Sequence, residues 1–151
     1  MQEKIQIISD GSLDLSRELT RERDILVVPF YVSFDGETYL KEGVELDIRE
    51  FYQRMVDHPD VFPKTSMPSV DDYYQVFLPL AKQDVPMICI CITTKFSGSM
   101  QSATTARDMI LEEYPKARIT VIDAEINTVL QGLYVLEACR LRDLGLSLIH
   151  I

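Results

Sequence analysis

Histidine is nearly absent from this chain: His58 and His150 are the only two, and neither stands in a recognisable constellation. Histidine-dependent catalysis and zinc chemistry therefore lose their usual basis. Cysteine is scarce as well. Cys89, Cys91 and Cys139 make an odd set for a disulfide framework, which points to reduced thiols in a reducing compartment. Cys89 and Cys91 alternate within the apolar run MICICI with no histidine or third cysteine nearby, so they read as core, not as half a metal site. Basic residues number 15 against 24 acidic ones, a net charge of −9, and they are scattered singly. Nucleic acid and anionic membrane surfaces both require clustered cations, so neither is an expected partner. No apolar run approaches the roughly 20 residues of a bilayer span. The opening MQEKIQIISD lacks a signal-peptide pattern, and the expectation is a cytoplasmic protein without metal or cofactor.

What is present suffices for one domain: 151 residues, 46% of them hydrophobic. KIQIIS ending in Asp10-Gly11 reads as a buried strand and a turn, with a helix expected from Asp14. DILVVPFYVSF continues as strand, and Asp35-Gly36 before ETYL signals a hairpin with an exposed tip. DIREFYQRMVDH is an amphipathic helix capped by Asp47 and stopped at His58-Pro59. PKTSMPS reads as a loop; Ser69 then caps VDDYYQVFLPLAK, whose end Pro79 is expected to kink or fray. The unbroken apolar run Val85 to Ile92 suits a strand covered on both faces. SMQSATTARDMILEEY, with Ala103, Arg107, Ile110 and Tyr114 spaced along it, is a helix. ARITVID is a strand and INTVLQGLYVLEACRLRDLG a helix with Gly145 as its C′ residue. Strand and helix in alternation specify a parallel α/β sheet. The apolar end, residues 146–151, is expected to be a truncated or foreign tail after a domain covering residues 1–145.

Ligands of such sheets bind beyond the carboxyl ends of the strands. Three polar loops occupy that address: SDGSLDL with Asp10, KTSMPS with Thr65 and Ser66, and KFSGSMQS with Ser97, Gly98 and Ser99. A helix N-terminus leaves N–H groups unpaired and favours an anion, and Gly98 permits close approach. Hydroxyls of Thr65 and Ser97 would donate to a small carboxylate or phosphate. Each residue also has a plainer reading: Ser97 and Ser69 as helix caps, Thr65 and Ser66 as turn residues, Asp10 as partner of the next helix.

In combination, SDGSLDL, TSMPS, SGSMQSA and the partly kept DAEINTVLQG resemble the DegV family of bacterial fatty-acid-binding proteins, from about Lys4 to Gly145. The resemblance implies a three-layer α/β domain with a hairpin excursion. It implies a carrier, not an enzyme: the carboxylate of one long-chain fatty acid sits near Thr65 and Ser97, with Asp10, Ser66, Gly98 and Ser99 around it. A separate ATP-dependent fatty acid kinase then phosphorylates that carboxylate, toward phospholipid synthesis. Tunnel candidates are Phe30, Phe62, Met67, Phe96 and Met100.

Departures from the family's pattern are Gly11 in place of a serine, Met100 of an aromatic, Ala124 of a hydroxyl residue and Leu130 of a glycine; the first removes a head-group donor and the last a close backbone approach. Family members carry a second domain, so weak lipid retention by this chain alone is expected, with self-association through the face that domain would cover. Two other functions stay open. Ser97 as an acyl-transfer nucleophile requires a base, and the chain has no G-x-S-x-G elbow. A phosphate-binding domain has only the generic helix N-terminus behind it, since no glycine-rich nucleotide fingerprint is present.

Overall fold

Two strands at the centre of the molecule carry apolar side chains on both faces, and the sheet they build is covered on both. The computed structural model describes residues 4–151; the first three residues of the expected domain lie outside the described residues. In chain order the elements are β1 (Gln6–Asp10), a 3-10 turn (Gly11–Leu13), α1 (Arg17–Glu22), β2 (Ile25–Val28), β3 (Tyr31–Ser33) and β4 (Leu40–Lys41). There follow α2 (Ile48–Asp57), β5 (Lys64–Ser66), α3 (Val70–Lys82), β6 (Met87–Cys91), α4 (Ser99–Glu113), β7 (Ile119–Asp123) and α5 (Thr128–Asp143).

The main sheet has the order β2-β1-β6-β7, all pairs parallel. Alternation along each strand sends Ile8, Met87, Cys89 and Cys91 to one face, where Tyr73 and Phe77 of α3 and Ala103, Ala106 and Ile110 of α4 cover them. Ile7, Ile88 and Ile90 go to the other face, against Val135, Ala138 and Cys139 of α5. The result is the expected three layers, which parallel sheets require because both faces are apolar. All three cysteines are free and buried, and burial pushes the Cys89 thiol well up, as befits small core hydrophobes.

The stretch expected as one strand is two. Proline has no N–H to give a ladder, and at Pro29 the chain leaves the parallel sheet after β2 and enters a second, antiparallel sheet as β3. β3 pairs with β4 across the expected hairpin, whose turn is held by Asp35 accepting from the amides of Glu37 and Thr38. It also pairs with β5, so KTS, read as loop, is a short edge strand. Lys41 of β4 and the Tyr31 hydroxyl both reach Asp72 in the first turn of α3, at 2.9 Å each, and bind the small sheet to that helix.

Caps fall largely where expected, with Asp47 on α2, a reciprocal Ser69–Asp72 box on α3 and Gly145 at φ 83° just past α5. Two local expectations are corrected. The helix expected from Asp14 begins at Arg17, because Asp14 is left-handed at φ 52° and Ser16 supplies the cap. Pro79 does not fray the end of α3, which continues through it to Lys82. The tail also packs, Leu148 and Ile151 lying against the α5-side core.

Candidate functional site

The carboxyl ends of β1 and β6 meet at Asp10, which is fully buried. Its Oδ2 accepts from the Ile92 amide and from Ser99 Oγ, both at 2.8 Å. Its Oδ1 accepts from Gln131 Nε2 at 2.9 Å and from the Ser12 hydroxyl at 2.8 Å. Gln131 also donates to Ser9 Oγ at 3.1 Å, and Tyr73 Oη lies 2.6 Å from Ser99 Oγ. One carboxylate thus joins β1, the end of β6, α4 and α5, and through Ser99 reaches α3. Desolvation is met by hydrogen bonds, as a buried polar group requires. Burial pushes the Tyr73 phenol well above its ordinary value, so it acts here as a hydroxyl donor.

In front of this enclosed network lies a loop with free donors. Thr94 donates to Asp123 at the end of β7 through its hydroxyl at 2.7 Å, fixing the start of the loop. That hydrogen bond, helped by the amides of Glu125 and Thr94 and by the charge of Lys95 against the opposing effect of burial, holds the Asp123 carboxyl below its usual range. At the far end Ser97 Oγ accepts from the Ser99 amide at 3.2 Å. Ser97 is therefore not the N-cap of α4; Gly98 is, and it has no side chain to cap with. The N-terminus of α4 opens outward without a side-chain acceptor from its own cap residue.

Strand register decides what β5 offers. Thr65 stands opposite Val32 and shares its face, whereas Ser66 stands opposite Tyr31 on the other. Both are exposed, and neither hydroxyl has a hydrogen-bond partner among the described residues. Met67 follows, and a Cβ added at Gly98 would lie 2.8 Å from its sulfur, so the thioether rests directly on the glycine at the start of α4. That contact ties the Thr65 loop to the Ser97 loop. Glycine is needed there for space, not for dihedral freedom.

The six expected site residues thus separate by depth. Thr65, Ser66 and Gly98 are exposed and Ser97 half-buried, while Asp10 and Ser99 are sealed behind them. Of the apolar candidates, Phe62 and Phe96 are 83% and 75% exposed and Met67 44%. Phe30 lies over Gly11, where a Cβ would come within 3.2 Å of its backbone nitrogen, and Met100 packs against the core. Two cavities lie elsewhere. One of about 550 Å³ sits beneath α2 between Val32, Leu40, Arg54 and His58, and one of about 510 Å³ between α1 and β2.

Residue reasoning overlooked Gln131 and Gly132. The buried positions of α5 are Gln131, Gly132, Val135, Ala138 and Cys139, and a glutamine heading an otherwise apolar stripe was the available signal. A Cβ on Gly132 would come 2.3 Å from the Leu13 carbonyl, so α5 presses on the turn after β1 only because no side chain intervenes.

Fold and site together define the class: a three-layer α/β domain with hydroxyl donors and an open helix N-terminus beyond the carboxyl ends of its parallel strands. The chain belongs to the family described as "Uncharacterised protein, DegV family", which matches residues 4–151. A crystal structure of a stearic-acid-binding protein from Eubacterium ventriosum superposes with a TM-score of 0.94 at 48% identity, over 97% of this chain and 50% of that one. DegV of Bacillus subtilis, described as a fatty acid binding protein, gives 0.82 at 28% identity, over 95% and 49%. A DegV domain-containing protein of Caldanaerobacter subterraneus is 38% identical over 145 residues, 96% of this chain and 49% of the relative. The chain spans about half the length of the relatives it matches. Among the described residues no helix is long and apolar enough to cross a membrane.

Proposed function

We propose that this chain contributes the head-group side of a fatty-acid site and that the whole protein is an acyl carrier. The observation that carries the reading is the pair of hydroxyls whose hydrogens meet no acceptor among the described residues, Thr65 and Ser97, on segments joined by the Met67–Gly98 contact at the N-terminus of α4. A carboxylate there receives two hydroxyl donors and the positive end of a fifteen-residue helix. Phe62, Met67, Phe96 and Met100 flank Thr65 and Ser97 in the chain, Phe30 lies over Gly11 in the turn after β1, and together they would supply apolar surface for the tail. Each methylene removed from water contributes about 0.8 kcal/mol, so the tail supplies affinity and the hydroxyls supply position.

In this reading the protein works in the cytoplasm, and its ligand's carboxylate is presented to a separate ATP-dependent kinase. The carrier does not perform the chemistry: a donor-lined site orients an attacking oxygen, which is what in-line phosphoryl transfer needs. Serine-dependent acyl transfer is less well supported, because Ser97 Oγ is hydrogen-bonded to an amide while His58 lines the cavity beneath α2 and His150 bonds Ser147. Apolar residues on the outer face of α5 support self-association of the isolated chain.

Native mass spectrometry of the purified chain, followed by solvent extraction, tests the proposal. Uptake of added oleate, lost in a Thr65→Val/Ser97→Ala variant, is expected, and a co-purified fatty acid near one per chain would show that this half suffices for retention. A chain that neither carries fatty acid nor takes up added oleate would refute head-group binding by this half.

A further inference from the structure

The direction of each hydrogen bond behind Ser97 can be assigned without choice. Ser99 Oγ–H is spent on Asp10 Oδ2 at 2.8 Å, so the 2.6 Å contact to Tyr73 must be donated by the tyrosine. The Ser99 amide then points at Ser97 Oγ, which accepts at 3.2 Å. Ser97 has one hydrogen, half-buried, and among the described residues no acceptor meets it. We infer that Asp10 and Ser99 are positioning residues that hold Ser97 as an outward hydrogen-bond donor, making the site selective for a fatty acid's carboxylate over an uncharged head group.

The inference rests on the fatty-acid reading above and adds a cause for its selectivity. A donor whose lone pair is already engaged gains most from an acceptor that carries charge, since such bonds are about twice as strong as neutral ones. Neither positioning residue touches the ligand, because both are fully buried. Their anchoring is also rigid: Asp10 is fixed from the end of β6 by the Ile92 amide and from α5 by Gln131, so the Ser99 hydroxyl cannot turn without breaking its bonds to Asp10 of β1 and Tyr73 of α3.

A double-mutant cycle decides it, read by titration of the chain with oleate and with oleyl alcohol. Ser97→Ala is expected to weaken oleate about tenfold or more and oleyl alcohol less than threefold. Ser99→Ala should weaken oleate to a similar degree, and adding it to Ser97→Ala should cost little more, because its effect passes through Ser97. Ser99→Thr keeps the hydroxyl and should restore oleate binding, and Tyr73→Phe is a milder variant with an expected loss of about threefold. Equal losses for both ligands, or a full further loss from Ser99→Ala in the Ser97→Ala background, would mean a merely structural role and overturn the inference. If the unaltered chain takes up no oleate, the fatty-acid reading fails separately. Amide exchange then judges the positioning: Ser99→Ala should speed exchange at Ser97 and Ser99 at least tenfold relative to Ile88 and Ile90, and unchanged or uniformly faster exchange sinks it.

Discussion

Thr65 and Ser66 are neighbours in sequence that finish on opposite faces of a two-sided strand. Their identical hydroxyl chemistry therefore predicts different behaviour. Thr65→Val, which keeps shape and removes the donor, is expected to weaken oleate by about tenfold, the cost of one hydrogen bond to a charged acceptor. Ser66→Ala should change it less than twofold, and a competition assay with a fluorescent fatty acid separates the two. Asp72 makes a second prediction at this scale. Partial burial opposes its charge, but Lys41, the Ser69 hydroxyl and amide, and Tyr31 outweigh burial and lower its pKa from 3.8 to about 2. A depressed carboxylate stabilises the fold above the unfolded value, and that contribution disappears as pH falls from about 4 to about 2. Asp72→Asn should cost roughly 2 kcal/mol at neutral pH and flatten the acid limb of a melting-temperature profile.

Among the elements, α5 is the one whose placement depends most on a missing atom. Gly132→Ala would raise intrinsic helicity by up to about 1 kcal/mol, yet the Cβ would strike the Leu13 carbonyl, which is backbone and cannot swing aside. The net effect should be destabilising by about 1–3 kcal/mol, seen as a melting temperature several degrees lower. The main helices and the parallel strands were legible because their signals are local: unbroken apolar runs, caps at Asp47 and Ser69, the C′ glycine at 145. β5 was not, since three exposed residues carry no periodicity and become a strand only through β3. The break at Pro29 was printed in the sequence, but β-branched residues on both sides hid it. At the site, Thr65 and Ser97 could be picked out as donors, while the depth of Asp10 and Ser99 could not, because burial there is imposed by partners up to 121 residues away in the chain.

For the molecule as a whole, the outer face of α5 leaves Val129, Leu130, Leu133 and Tyr134 between 47% and 59% exposed, a contiguous apolar stripe at helical spacing. Sedimentation of the isolated chain at increasing concentration should reveal association, and Leu130→Ser with Leu133→Ser should abolish it. A single monomeric species at high concentration would show that this face is tolerated in water. The order β2-β1-β6-β7 bears on how the chain comes into being. β2 can join β1 once residue 28 is made, but the opposite edge of β1 pairs with Met87–Ile90, so the centre of the sheet waits for some sixty further residues of synthesis. During that interval an apolar edge lies open on a nascent chain, with loop-closure entropy still unpaid. Ribosome-bound intermediates of this protein should therefore be chaperone clients until β6 emerges, however stable the finished fold.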